Sequence, residues 1–403
     1  MRRSTRSLAA LCCGIALATV APGVGTAAPA TAVPWSPGFY DTPAALPDAP
    51  GVVMRAEKLT YVLDPADAAS VSFRSTRILY TSTDSHGEIV PVSGAVYVPT
   101  TAWRGKGERP IVAIAPGTQG MDDRCAPSRA SAEGLSYEML AAGYAVAMTD
   151  YEGLGTEGDH PYVVRQSAAH SLLDVVRAAQ DGDFGLSANA PVGLTGYSQG
   201  GTAAAAAAEE WDEYAPELRL KGVVAGAPAA DLNVVADNLD KGLYSELLWY
   251  ALAGTSSDSG VDLGRVLNEK GVAKVEGAHG SCIPDAITRG FSDSRQFTRS
   301  GVSIPSLLRT DPELRAVAET QKLGKEAPQV PTLVVHSYLD DVLPYKQARQ
   351  MASDWCDGGA TVQMYSTMVP SHVGGMLPTI PNEMGFFASR FAGHNAINSC
   401  WRL

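Results

Sequence analysis

Residues 195–201 read Thr-Gly-Tyr-Ser-Gln-Gly-Gly, and few short stretches restrict a fold so tightly. The serine of a G-x-S-x-G pattern stands on a sharp, strained turn between a buried strand and a helix. Both flanks fit that setting. Ala190-Pro191-Val192-Gly193-Leu194-Thr195 is short, apolar and strand-like. Thr202, the six alanines Ala203 to Ala208 and Glu209-Glu210-Trp211 make a strong helix former. Only small neighbours fit such a turn, hence Gly196 and Gly200 on either side of Ser198. The alanine run lets the helix lie close to a sheet, and the turn lifts the Ser198 hydroxyl clear of it.

The rest of the chain supplies the sheet. Residues 33–56 are rich in Pro, Ala and Asp and read as an arm on the surface. Leu59–Leu63, Arg77–Thr81 and Val90–Val98 are β-like, with a turn at Ser85-His86-Gly87-Glu88, so the sheet begins antiparallel. From Pro110 the pattern changes. Ile111–Ala115, Tyr144–Met148, Val192–Thr195, Leu220–Ala225, Val330–His336 and Val362–Ser366 are continuous apolar runs, the signature of strands buried on both faces. Helical segments at 132–142 and 163–179 alternate with them. The implied class is α/β, a mostly parallel sheet flanked by helices. The alternation stops between Ala229 and Gln329, where helical segments and loops stand without a strand series. Leu243–Leu252 is apolar on nearly every side, which suits the core of a cap or a wall against substrate. The expected organisation is a leader at 1–32, a core in two parts at 33–229 and 330–403, and a helical cap or lid at 230–329.

The leader is a secretory signal by its pattern: Arg2, Arg3 and Arg6, then the apolar Leu8–Val20, then small residues with cleavage after Ala27 or Ala32. Removing 1–32 takes three of 31 basic residues, leaving 28 against 43 acidic, a net charge of −15. A chain so acidic repels nucleic acid. Four cysteines remain, Cys125, Cys282, Cys356 and Cys400, and an even number in an exported chain implies two disulfides. Four cysteines allow three pairings. Cys356–Cys400 and Cys125–Cys282 are favoured, since the first ties the C-terminal tail to the last βα unit and the second pins the insertion to the core. No CxxC or HxxxH spacing occurs, so no metal site is expected.

A serine hydroxyl needs a base to take its proton, and an imidazole needs a carboxylate to hold its tautomer. Downstream of Ser198 the acid candidate is Asp340, in the loop that follows Val334-Val335-His336, with Asp341 as its rival. The base candidate is His372, in a loop after the last expected strand. Two backbone N–H donors must hold the oxyanion. One is Gln199; the other is Thr118 or Gln119, in the loop Pro116-Gly117-Thr118-Gln119-Gly120-Met121.

At this point the chain resembles a known family, the secretory lipases of actinobacteria and fungi that include the fungal lipase A type. The resemblance spans about residues 35–400. It rests on Cys125-Ala126-Pro127-Ser128, Asp150-Tyr151-Glu152-Gly153-Leu154-Gly155, His160-Pro161-Tyr162, Gly196-Tyr197-Ser198-Gln199-Gly200-Gly201 and Ser371-His372. It implies an α/β-hydrolase core, a helical cap inserted before the acid strand, two disulfides, and Ser198, Asp340 and His372 as the triad. Asp340 also fits the usual placement of the acid four residues before a proline, here Pro344. Fungal members carry an aspartate in the oxyanion loop, where this chain has Thr118-Gln119. The expected function is a secreted serine esterase or lipase acting on acylglycerol-type esters without cofactor, with transient contact to a lipid interface. Alternatives are an acyltransferase or peptidase on the same core, or a non-catalytic binding protein. Chain-length specificity and oligomeric state are not written in these motifs.

Overall fold

The computed structural model describes residues 38–59, 71–130 and 135–403; the expected leader at 1–32 lies outside these residues. Within them a nine-stranded sheet forms from β1 (Val53–Lys58), β2 (Phe73–Thr83), β3 (Ile89–Pro99), β4 (Ile111–Ala115), β5 (Ala145–Glu152), β6 (Val192–Tyr197), β7 (Leu220–Gly226), β8 (Thr332–Ser337) and β9 (Val362–Thr367). The spatial order is β1-β2-β3-β5-β4-β6-β7-β8-β9. β1 to β3 pair antiparallel, β3 meets β5 antiparallel, and all pairs from β5 to β9 are parallel.

β4 shows why the central strands are apolar throughout. Ile111, Ala113 and Ala115 point into one layer, with the helices Arg165–Asp181, Gln199–Tyr214 and Tyr345–Asp357. Val112 and Ile114 point into the other, with Met139, Leu140, Phe386 and Phe387 from helices Leu135–Ala141 and Thr379–Phe391. Each strand residue is desolvated on one side or the other, so no polar alternation survives.

The N-terminal part differs from expectation. The first strand is Val53–Lys58 rather than Leu59–Leu63, most of which lies outside the described residues. The arm before it is not wholly superficial. Phe39 and Tyr40 are buried against Leu79, and the Arg77 guanidinium lies 5.4 Å from each ring centre. Two aromatic side chains are enough to fasten a proline-rich segment that composition alone assigns to the surface.

Between β7 and β8 lie the helices Leu232–Leu239, Glu246–Ser259, Glu269–His279, Ile283–Thr288, Ile304–Thr310 and Pro312–Thr320. They surround their own apolar cluster, centred on the buried Trp249 and Tyr250. The apolar stretch at 243–252 becomes helical from Glu246, and Leu248, Trp249, Tyr250 and Leu252 are core. Cys125–Cys282 fastens this insertion to the segment after β4, and Cys356–Cys400 ties helix Tyr345–Asp357 to the tail.

One buried acid should report on folding. Glu383, on helix Thr379–Phe391, is almost fully buried. Burial pushes its carboxyl up from 4.5 to about 8; the Thr195 hydroxyl opposes the shift and the charge of Glu138 adds to it. The unfolded chain ionises this group from about pH 4.5 upward, whereas the folded chain holds the proton until about pH 8. Its contribution to stability is therefore complete below pH 4.5 and is lost as pH rises towards 8. Glu383→Gln should flatten the fall in thermal midpoint between those limits, with its largest gain over wild type on the alkaline side. Parallel midpoint–pH curves for the two proteins would refute the assignment.

Candidate active site

The turn at Ser198 is built by close backbone approach. Ser198 sits at φ 62°, ψ −119°, a strained setting for a residue with a side chain, and caps the helix Gln199–Tyr214. A Cβ on Gly200 would lie 1.9 Å from the Ala115 carbonyl oxygen, and one on Gly201 would lie 2.0 Å from that of Gly226. Glycine is obligatory at both places because the helix start rests on the ends of β4 and β7. Gly201 was not singled out by pattern, since the motif names only the residues two away from the serine. All six alanines from 203 to 208 are fully buried. Ser198 N–H donates to Gly226 O at 2.9 Å, which fixes the turn to β7.

The two neighbouring aspartates both hold His372, by different atoms. Asp340 Oδ2 accepts from His372 Nδ1 at 2.7 Å, and Asp341 Oδ1 accepts the His372 backbone N–H at 2.7 Å. Asp340 Oδ1 also accepts the N–H groups of Val342 (2.9 Å) and Leu343 (2.7 Å), so the carboxylate caps its own loop. Burial would raise the Asp340 carboxyl. Hydrogen bonds from His336 and His372, the charge of His372 and the Leu343 N–H outweigh it and hold the group well below the usual carboxylate range. His336, 3.3 Å away through Nε2, is a neighbour of Asp340 that order along the chain excludes as a base.

His372 was expected in a loop; it opens the short helix His372–Met376 instead. Ser371 precedes it at φ 67° and caps that helix with its hydroxyl on the Gly374 N–H. A histidine at a helix start has its backbone N–H free for Asp341, which a loop would not guarantee. Tyr197, next to the serine, donates its hydroxyl to His372 O at 2.6 Å, and the two rings are 5.0 Å apart. That link between the elbow and the histidine has no sequence signature.

Ser198 and His372 line one cavity of about 530 Å³. Gly117, Thr118 and Gln119 form part of its wall, while Tyr244, Leu247, Ile283 and Ile287 come from the insertion. Gln199 is the first residue of the elbow helix, where backbone N–H groups lack intrahelical partners and the dipole is positive. The loop at 116–121 is pinned from behind. Gln119 O accepts from Ile283 N at 2.8 Å, Met121 N donates to Ser281 O at 2.9 Å, and Gly120 bridges to Cys282 beside its bond with Cys125. Among the described residues no group of three or more His, Cys, Asp or Glu could hold a metal ion, and no helix is long and apolar enough to cross a membrane.

Known proteins agree with this architecture. The secretory lipase family model matches residues 131–399. A probable inactive lipase of Mycobacterium tuberculosis is 30% identical over 88% of this chain and 82% of its own length. A secreted triacylglycerol lipase of Malassezia furfur is 30% identical over 67% of this chain and 75% of its own. In structure the chain is similar to Candida antarctica lipase A in its closed state, with a TM-score of 0.78, 20% identity, and 91% and 89% of the two chains covered. It is also similar to the rice cell wall degrading esterase LipA of Xanthomonas oryzae, at TM-score 0.72 and 21% identity over 86% of this chain and 100% of that one. With the sheet order, the elbow and these matches together, the chain belongs to the secretory lipase family, carboxylic ester hydrolases on the α/β-hydrolase fold.

Proposed function

We propose that the protein is a secreted serine esterase or lipase that cleaves acylglycerol-type esters through an acyl-enzyme, with Ser198, His372 and Asp340 as its triad. The observation that carries this reading is the 2.7 Å hydrogen bond from His372 to Asp340 at the wall of the cavity that Ser198 enters. His372 Nε2 takes the proton as Ser198 Oγ bonds to the ester carbonyl carbon. The oxyanion that forms is held by the Gln199 N–H and by the N–H of Thr118 or Gln119. Collapse breaks the ester C–O bond, and the leaving alkoxide receives the proton from His372. Water repeats the sequence on the acyl-enzyme, releasing the carboxylic acid and restoring Ser198. Asp340 stays ionised throughout and keeps the Nδ1–H in place.

Substrate class is supported by the cavity and its rim. Leu247, Ile283 and Ile287 form an apolar roof that suits an acyl chain, and residues 230–329 act as a cap between the core parts 33–229 and 330–403. Val373 (64% exposed) and Ile287 (46%), both lining the cavity, leave apolar surface at its rim, as contact with a lipid aggregate requires. Secretion is supported by the leader pattern and two disulfides. The mycobacterial relative named a probable inactive lipase favours a second reading, a binding protein without turnover. The complete set of serine, histidine and aspartate here speaks for catalysis.

Ser198→Ala should abolish hydrolysis of p-nitrophenyl esters, and wild-type turnover in that variant would end the serine assignment. The intact protein should be labelled by a fluorophosphonate; no labelling would favour the binding protein. The two aspartates should separate cleanly. Asp340→Asn should lower kcat by about 10⁴-fold through the wrong histidine tautomer. Asp341→Asn keeps an acceptor for the His372 N–H and should stay within about tenfold of wild type, since one net hydrogen bond is worth roughly 1 kcal/mol. Equal losses in both variants would sink the division of roles.

A further inference from the structure

The segment from Tyr151 to Tyr162 does nothing in the mechanism above, yet its three aromatic side chains all end on the oxyanion hole. Tyr151 donates its hydroxyl to Pro116 O at 2.7 Å, at the start of the oxyanion loop. The Tyr162 hydroxyl and Thr118 Oγ1 share a hydrogen bond of 2.7 Å, in the middle of that loop. His160 lies between them and reaches the other half of the hole: Gln199 Nε2–H donates to its Nε2 at 2.9 Å. The three rings are in contact, with His160 stacked on Tyr151 (centres 5.7 Å apart) and edge-on to Tyr162 (6.0 Å).

This arrangement has one chemical polarity. His160 Nδ1 faces the Glu152 carbonyl at 2.8 Å and must donate to it. A neutral ring then presents only a lone pair at Nε2, which is what the Gln199 amide N–H requires. Burial keeps the imidazole neutral, pushing it down from 6.5 to about 4. The backbone is forced as well. Tyr151 (φ 74°) and Val163 (φ 60°) both sit in the left-handed region without being glycine, one at each end of the segment. Strain of this kind persists where surrounding contacts over-determine it.

We infer that Tyr151, His160 and Tyr162 form a bracket that sets the spacing between the two donors of the oxyanion hole, with His160 the positioning residue for the Gln199 side and Tyr162 for the loop side. None of the three lines the 530 Å³ cavity that Ser198 and His372 share. They act through Gln199, Thr118 and Pro116, and the inference rests on the serine hydrolase reading above. Its benefit appears only when the carbonyl carbon becomes tetrahedral and its oxygen takes up negative charge, so it belongs to kcat rather than to ground-state binding.

The test compares Tyr162→Phe, His160→Leu and His160→Gln on a p-nitrophenyl ester and its thiono analogue, in which sulfur replaces the carbonyl oxygen. Sulfur is a weak acceptor and gains little from the hole. Removing a whole donor costs about 10²–10³-fold in kcat, so displacing one should cost about tenfold in Tyr162→Phe and up to about a hundredfold in His160→Leu. KM should stay within about twofold and the preference for the oxo ester should shrink by the same factor as kcat. His160→Gln keeps an acceptor towards Gln199 and should recover most of the loss. Fluorophosphonate labelling of each variant checks that Ser198 is still reactive. Unchanged kcat, or a loss of kcat with the oxo-to-thiono preference intact, would overturn the bracket. If His160→Leu does not fold, Tyr162→Phe, which removes one hydroxyl, decides alone. Failure of the bracket leaves Ser198→Ala inactive, whereas failure of the serine reading leaves Ser198→Ala active.

Discussion

The first turn of the elbow helix lies on bare strand backbone, at the ends of β4 and β7, with only glycine hydrogens between. That contact positions nearly everything else. It places Ser198 at the tip of a parallel sheet, turns the orphan N–H groups of the helix start towards the cavity, and demands a small-residue helix behind them. The six buried alanines answer that demand. Their helix is covered on its far side by helix Arg165–Asp181, so it gains burial all round despite having little side chain to bury. A bulkier helix would pack as well in isolation but would lift the serine off the sheet.

Charge is handled with similar economy. The Asp340 carboxylate, which the proposed mechanism keeps ionised, is buried yet receives two backbone N–H groups and two histidines. Glu383, with less to hold its charge, is pushed the other way and keeps its proton. The same desolvation acts on both, and the difference lies in how many donors each environment aims at the oxygens. The two aspartates in tandem are explained on the same ground. One steadies the imidazole and the other the peptide that carries it, so neither is redundant.

Much of this was legible beforehand, because the signals were local or strongly periodic. Uninterrupted apolar runs marked β4 to β9, and the elbow pattern with its alanine run marked the strained turn at Ser198 and the helix behind it. Legibility ended where the deciding contact was tertiary. The burial of Phe39 and Tyr40 depends on Arg77 and Leu79, far along the chain. The helical setting of His372 depends on an Asp341 side chain and on Ser371 at positive φ. Tyr197 is the unspecified residue between glycine and serine in the G-x-S-x-G pattern, yet its hydroxyl reaches the histidine peptide. The His160-Pro161-Tyr162 motif was visible as letters, but its partners Gln199 and Thr118 become visible only in space.

The bond between Cys125 and Cys282 places the insertion and the loop at 116–121 mechanically in series. The hydrogen bonds from Met121 to Ser281 and from Ile283 to Gln119 flank it on both sides, so residues 281–283 are a weld rather than a free edge. A thiol that cut the bond would break none of the hydrogen bonds that hold His372 to Asp340 and Asp341, and would release a fastening behind the cavity wall at Gly117 to Gln119. On the reading proposed above, the redox state of the surroundings therefore bears on the loop of Thr118 and Gln119 before it bears on Ser198.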